Sequence, residues 1–180
     1  MSEKIIDKKQ AKNTVALYLI DQIIGAKNVK NVPNTTLMNL LYYILLEYAY
    51  WCPNYTMPKN SPMHIFEWFK AEIGPVDLDV NNNWVFLRGE LGAGRVPTFE
   101  QAGFGLSERA ALRVACNNAA RQFSFSAPQS ISQFIRYELP QWHCSQMGGR
   151  MYILSDFFNG EMNVFAKKRH MLMPSTVHMK

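Results

Sequence analysis

Residues 36–51 read TLMNLLYYILLEYAYW, with Asn39 and Glu47 as the only strongly polar side chains of the stretch. The segment predicts a helix that Pro53 ends, because a proline inside a helix clashes with the preceding turn and removes a backbone donor. A helix that is apolar on nearly every side must be covered on nearly every side, so we expect this one to lie at the centre of the fold. Glu47 then either lies on the one solvent-exposed strip of the helix or pairs with an arginine or lysine from another segment of the chain.

The composition indicates one globular domain. The chain has 180 residues, and 48% of them are hydrophobic, which is enough for a sizeable core. The net charge of +5 is spread along the chain rather than gathered in a basic arm. Residues 1–12 are polar, unlike a secretory signal, and the longest apolar stretch is too short to cross a bilayer. Because Cys52, Cys116 and Cys144 cannot all pair, we expect free thiols and a cytoplasmic protein.

Apolar residues recur at helical spacing in four other segments. Ser107 is expected to cap one of these helices and Ser155 another. Ser126 opens a further helix, since glutamine follows at the capping-box spacing and proline stands in the first turn. The predicted helices cover residues 8–25, 108–123, 126–139 and 155–167.

Two short segments are candidate strands. The aromatic and β-branched residues 84–88 follow an asparagine turn at 81–83 and predict a strand. Residues 151–154 are expected to form a second strand that pairs with the first. Residues 63–70 are apolar but ambiguous between helix and strand.

Five of the ten glycines fall between residues 89 and 105, which predicts a mobile loop or hairpin. Residues 1–180 are expected to form a single domain, with a flexible tail at residues 170–180. The predicted fold class is mostly α (α+β). A helical body surrounds the central helix and carries a small β-hairpin or a sheet of two or three strands.

No combination of side chains in the sequence forms a catalytic or metal-binding motif. His143 and Cys144 are adjacent and could act as base and nucleophile, but a partly buried thiol beside a surface imidazole is the simpler interpretation. The glycines at 103–105 precede a helix but lack the lysine of a phosphate-binding loop. Asp77 and Asp79 are interpreted as turn residues. We therefore expect a protein that is not an enzyme and needs no metal or cofactor.

Arg109, Arg113 and Arg121 lie along the third predicted helix and could form a basic face. Such a face can bind phosphates or acidic side chains, or it can simply be solvated. Nucleic-acid modules usually place aromatic residues between the basic ones, and none are interleaved here. A nucleic-acid-binding regulator remains the alternative function on this pattern.

Six segments resemble, in chain order, a known family: residues 15–24, 35–43, 66–70, 74–76, 126–142 and 151–158. They match a first helix, a Leu/Tyr-rich helix of the form T-x-L-x-x-L-L-Y, and an aromatic stretch that closes in G-P-V. A serine-capped helix, a proline-tryptophan element, a β-prone stretch and a final helix follow. This order resembles the Panacea domain family, which includes SocA-like antitoxins and phage-associated proteins.

The resemblance implies a non-enzymatic protein that binds and neutralises a toxin or another effector protein. One branch of the family delivers its toxin to a protease. The chain departs from the family where Thr36 and Asn39 stand in place of lysines and Arg136-Tyr137 in place of a Thr-His pair. Compared with the family, residues 81–105 are expected to form a loop or hairpin insertion. These departures suggest, as an alternative, a phage or mobile-element protein that inhibits a host defence factor.

The contact surface for a protein partner is predicted from aromatic and basic side chains of the candidate strand, the glycine-rich loop and the third helix. Exposed aromatic side chains on a mobile loop indicate a binding surface, and Trp, Phe and Arg are favoured at protein interfaces. The aromatic side chains could instead cover the central helix. The predicted contact residues are Trp84, Phe86, Arg88, Phe99, Phe104, Arg109 and Arg113.

Overall fold

The computed structural model describes residues 7–25, 32–52, 57–125, 128–151 and 156–172, which are mostly helical. The helices are α1 (Lys8–Ile23), α2 (Asn34–Trp51), α3 (Leu78–Asn82), α4 (Trp84–Gly92), α5 (Arg109–Phe125), α6 (Pro128–Glu138), α7 (Pro140–Cys144) and α8 (Asp156–Lys168). The strands are β1 (Trp68–Ala71), β2 (Gly74–Asp77) and β3 (Arg150–Met151). The predicted fold class, mostly helical with a small sheet, is confirmed.

Helix α2 lies at the centre, as its sequence predicts. Every residue from Thr36 to Ala49 is buried. Helices α1, α5, α6 and α8 and strand β2 pack around it. Each fully buried large apolar side chain contributes about 1.5 to 3 kcal/mol to stability, so this helix is the main source of the hydrophobic core. It ends at Trp51 as expected, while Pro53 lies outside the described residues.

Several helix bounds and one expected helix cap differ from the expectations. Asp7 caps α1, because its Oδ1 accepts a hydrogen bond from the Lys9 N–H at 3.0 Å. The expected cap by Ser107 is wrong: α5 is preceded by a 3-10 turn, Leu106–Glu108, in which the Glu108 Oε2 accepts from the Gly105 N–H at 2.8 Å. The predicted caps at residues 126 and 155 lie outside the described residues.

The sheet has the strand order β2-β1-β3 and is antiparallel throughout. Residues 63–70, ambiguous in sequence, divide into a 3-10 turn, Pro62–Ile65, and strand β1. The turn from β1 to β2 depends on Gly74, which has a φ of 120°. A Cβ atom at this position would lie 2.3 Å from Oδ1 of Asn39, so only glycine fits both the backbone and the space.

The predicted strand at residues 84–88 is wrong, because these residues begin helix α4. Trp84, Leu87 and Leu91 are buried at the spacing of one helix face, and this period outweighs the β-forming composition. The predicted pairing with residues 151–154 is also wrong. Met151 pairs with Trp68 of β1 instead, and residues 152–154 lie outside the described residues.

The expected insertion at 81–105 contains α4 and, after it, an irregular segment with turns up to Gly105. The predicted tail, residues 170–180, begins inside a 3-10 turn, Arg169–Met171, and residues 173–180 lie outside the described residues. In the part of the chain that the structure describes, no helix is both long and apolar enough to span a membrane.

Candidate partner-binding surface

One face of α4 is fixed in the core and the other is open to solvent. Trp84 is 5% exposed, and Leu87 and Leu91 are completely buried. On the opposite side Val85 is 86% exposed and Phe86 is 52% exposed. Two large apolar side chains therefore stand next to each other in solvent on a helix that the core holds in place. We call the exposed residues Val85, Phe86, Gly89, Gly92 and Ala93 the α4 face.

Arg88 belongs to the anchoring of α4 rather than to a free surface. Its guanidinium lies 5.1 Å from the ring centre of Trp84. The Arg88 Nη2 also donates a hydrogen bond to the carbonyl of Val32 at 3.1 Å. These contacts fix the register of α4 against the segment before α2. Of the three predicted contact residues in this helix, only Phe86 is exposed.

The irregular segment after α4 returns to the body through an aromatic cluster. The ring of Phe99 stacks on that of Phe104 with centroids 5.8 Å apart and an interplanar angle of 25°. Tyr18 of α1 meets Phe99 at 6.1 Å and Phe104 at 5.8 Å. Phe104 is 5% exposed, so it is part of the core, whereas Phe99 is half-buried.

A groove of about 260 Å³ opens beside this cluster, between α1, α5 and residue 99. The Arg109 guanidinium lies over the Phe99 ring at 4.6 Å from its centre and pairs with Glu100 at 3.1 Å. Arg113 is exposed one turn further along α5 and has no ion-pair partner within the described residues. The lining of this groove, called the Arg113 groove below, is Tyr18, Gln22, Phe99, Arg109, Leu112, Arg113, Cys116 and Asn117.

Burial has two effects on the titratable groups in the Arg113 groove. It raises the pKa of the Tyr18 phenol; the nearby carboxylates of Glu100 and Asp21 add to the rise, and Arg109 opposes it. Burial also raises the pKa of the Cys116 thiol to about 12. At neutral pH the phenol is therefore a hydrogen-bond donor and the thiol is not a nucleophile.

The structure thus separates the seven predicted contact residues into three groups. Phe99, Arg109 and Arg113 come together in the Arg113 groove. Phe86 is exposed elsewhere, on the α4 face. The remaining three have core contacts: Trp84 and Phe104 are buried, and Arg88 packs on Trp84. The alternative, that these aromatic side chains cover the central helix, is supported only in that Trp84 and Phe104 are buried, and α4 packs on α1 and α3. Arg121 is exposed but does not line the groove.

The sequence interpretation missed a second surface around Tyr137, which is 72% exposed, and Met147, which is 60% exposed. They flank a groove of about 440 Å³ together with Arg136 and Trp142. The Trp142 ring has two cations near it, with Lys70 Nζ at 4.7 Å and the Arg136 guanidinium at 5.5 Å from its centre. The signal available in the sequence was the cluster of aromatic and basic residues around Pro140.

The charged groups with the deepest burial serve the fold. Glu47 is completely buried and pairs with Arg169, which answers the question that the sequence left open. Asp77, interpreted above as a turn residue, is also completely buried and pairs with Lys12 at 3.0 Å. Its Oδ1 accepts hydrogen bonds from the N–H groups of Asp79 and Val80 and so caps α3.

The described residues contain no group of three or more His, Cys, Asp and Glu side chains that could hold a metal ion. His143 and Cys144 are both exposed, and the His143 Nε2 lies 3.4 Å from the carbonyl oxygen of Tyr137. Comparisons of the chain with family models, with curated proteins and with solved structures found no match.

Proposed function

We propose that this protein binds another protein and inhibits it by covering part of its surface, in the manner of the antitoxins that the sequence resembles. The α4 face is the observation that carries the proposal. Val85 and Phe86 are exposed on a helix that the core holds in place, so they add little to the stability of the free protein. In a complex they can bury apolar surface against the partner.

The geometry of α4 supports a protein partner in particular. Gly89 follows Phe86 by three residues on the α4 face, and a Cβ at Gly89 would meet no atom within 4 Å. A partner helix or strand can therefore approach the backbone of α4 closely beside the Phe86 ring. Because the core fixes Trp84 and Leu91, little conformational entropy is lost when α4 docks.

In this proposal the protein inhibits its partner by binding alone, without catalysing a reaction. It also acts in the cytoplasm. All three cysteines are free thiols, which suits a reducing compartment. A phage or mobile-element protein that blocks a defence factor would use the same surface in the same way. The two versions differ in the identity of the partner and not in the mode of binding.

Capture and growth rescue together test the proposal. The tagged protein and its Val85→Ser/Phe86→Ser variant are expressed in cells of the source organism, and proteins retained in stoichiometric amounts are identified. Each captured protein is then expressed alone and together with the chain. We expect a protein that slows growth alone, that is neutralised by the wild type and that is not neutralised by the variant. Rescue by both forms, or retention of no protein by the wild type, contradicts the proposal.

A further inference from the structure

The Arg113 groove combines two arginine side chains with an apolar floor. The Arg113 guanidinium has no ion-pair partner among the described residues, and the side chain is exposed. Four residues earlier Arg109 is on the same side of α5, and both line the groove. Phe99, Leu112 and Cys116 supply apolar surface beside them.

The groove already binds one carboxylate, which comes from its own rim. The Glu100 Oε1 accepts a hydrogen bond from Arg109 Nη2 at 3.1 Å, while the guanidinium stays over the Phe99 ring. Both side chains of this pair are more than half exposed. An exposed pair of this kind adds only about 0 to 1 kcal/mol, so a second carboxylate can replace Glu100 at little cost.

We propose that the Arg113 groove binds an acidic side chain of the partner protein, held by Arg109 and Arg113, with a neighbouring apolar side chain of the partner on the groove floor. This inference rests on the proposed function, since it names the chemistry of the partner segment. The phenol of Tyr18 is protonated at neutral pH and adds a neutral donor to the groove. A carboxylate next to an apolar side chain therefore matches the groove in charge and in polarity.

Nucleic acid fits the same groove less well. Bases bind to free aromatic faces, but Arg109 lies over the Phe99 ring and Phe104 stacks on it. A phosphate chain brings several negative charges close to Glu100 and Asp21, whose carboxylates both act on Tyr18 electrostatically, whereas a single partner carboxylate takes the place of Glu100 on Arg109. The groove volume of about 260 Å³ is suited to one or two side chains rather than to a nucleic-acid strand that runs along the surface.

The test uses a short peptide as the probe, acetyl-Gly-Glu-Leu-Gly-amide, with its glutamine counterpart as the neutral control. Binding to the full chain is followed by the NMR signals of the arginine Nε–H groups. We expect Arg109 and Arg113 signals to shift and saturate, and the Arg121 signal to stay in place. The glutamine peptide should bind about tenfold more weakly.

Three variants make the test specific. Arg109→Gln/Arg113→Gln should weaken the glutamate peptide about tenfold, and Arg121→Gln, on the same helix outside the groove, should leave its affinity unchanged. Glu100→Gln should tighten binding about threefold, because it removes the internal competitor. A merely structural role for these residues predicts no such gain.

Inorganic phosphate and oligo(dT) are titrated in parallel. Tighter binding of phosphate than of the peptide would identify a site for free anions, and tighter binding of oligo(dT) a nucleic-acid site; either result overturns the inference. Equal binding of the two peptides also overturns it. If the peptide fails while the α4 face still determines capture of a partner, only this inference is lost and the proposed function stands.

Discussion

Two nitrogens of the Arg169 guanidinium hold the carboxylate of Glu47, with Nη2 2.8 Å from Oε1 and 2.9 Å from Oε2, and Nε 3.2 Å from Oε1. Glu47 is completely buried in the central helix, and Arg169 follows the last helix, 122 positions later in the chain. Tyr43 and Asn118 also donate to this carboxylate. The pair therefore fixes the C-terminal end of α8 to the centre of the fold.

Replacing Arg169 should destabilise the protein strongly. Arg169→Met leaves the buried carboxylate without its counter-ion, and such losses lower the free energy of unfolding by about 3 to 5 kcal/mol. Glu47→Gln in the same chain removes the uncompensated charge and should restore part of the loss. Urea unfolding followed by circular dichroism measures both. Arg121→Met, at an exposed position of α5, is the matched control and should change little.

The two faces of α4 should respond differently to truncation. Trp84→Ala opens a cavity in the core and should lower the free energy of unfolding by about 3 kcal/mol or more. Phe86→Ala removes a half-exposed ring and should stay within about 0.5 kcal/mol of the wild type. Thermal unfolding of the two variants side by side gives the answer. Similar losses in both would mean that Phe86 is a core residue.

Alanine substitutions at Gly74 and Gly89 should change the free energy of unfolding in opposite directions. Gly74→Ala places a Cβ 2.3 Å from Asn39 Oδ1 at a φ of 120°, so it should destabilise the protein by more than about 1 kcal/mol. Asn39→Ala in the same chain relieves the clash but not the backbone strain. Gly89→Ala lies in open space within a helix and should stabilise by about 0.5 to 1 kcal/mol. Chemical denaturation of the three variants measures these changes, and a stable Gly74→Ala protein would refute the close approach.

Stability should fall on the acid side as Asp79 becomes protonated. The hydrogen bond that Lys12 donates at 2.7 Å lowers the pKa of the Asp79 carboxyl below its ordinary value. The unfolded chain therefore binds more protons near pH 4. The contribution of Asp79 is present above the unfolded pKa and is lost as the pH falls from about 5 towards 3. In Asp79→Asn the slope of unfolding free energy against pH should be shallower over this interval, and identical slopes would show that this ion pair does not couple to folding.

The three thiols should react in two classes. Burial raises the pKa of Cys116 to about 12 and also raises the pKa of Cys52, and both side chains are buried. Cys144 is exposed at the end of α7. A disulfide reagent at neutral pH should therefore label Cys144 at once, and the other two only after unfolding. Fast labelling of Cys116 would mean that the Arg113 groove opens more widely than described.

Local sequence patterns predict helices well here and side-chain partners poorly. The central helix follows directly from its composition, since an apolar surface on every side leaves only one place for it. The nature of residues 84–88 could not be read in the same way, because Trp84 and Phe86 favour a strand while Leu87 and Leu91 complete a helical stripe. The core that Trp84 enters belongs to distant segments, and tertiary packing decided between the two.

The candidate surfaces show the same limit. Arg109 and Arg113 are predicted together because they are four residues apart on one helix. Tyr18 joins them from α1 only through packing, so nothing in the local sequence marks it. The partner of Glu47 lies 122 residues away, and its identity depends on how α8 crosses α2. Contacts between segments that are far apart in the sequence can be identified only once the fold is known.

The most direct test of the account is the affinity between the protein and the partner it captures, measured by calorimetry for the wild type and for Val85→Ser/Phe86→Ser. We expect the double variant to keep the wild-type melting temperature, because Val85 is exposed and Phe86 is half-exposed, and to bind at least about tenfold more weakly. Equal affinities at unchanged stability would contradict the claim that the α4 face is the surface that binds.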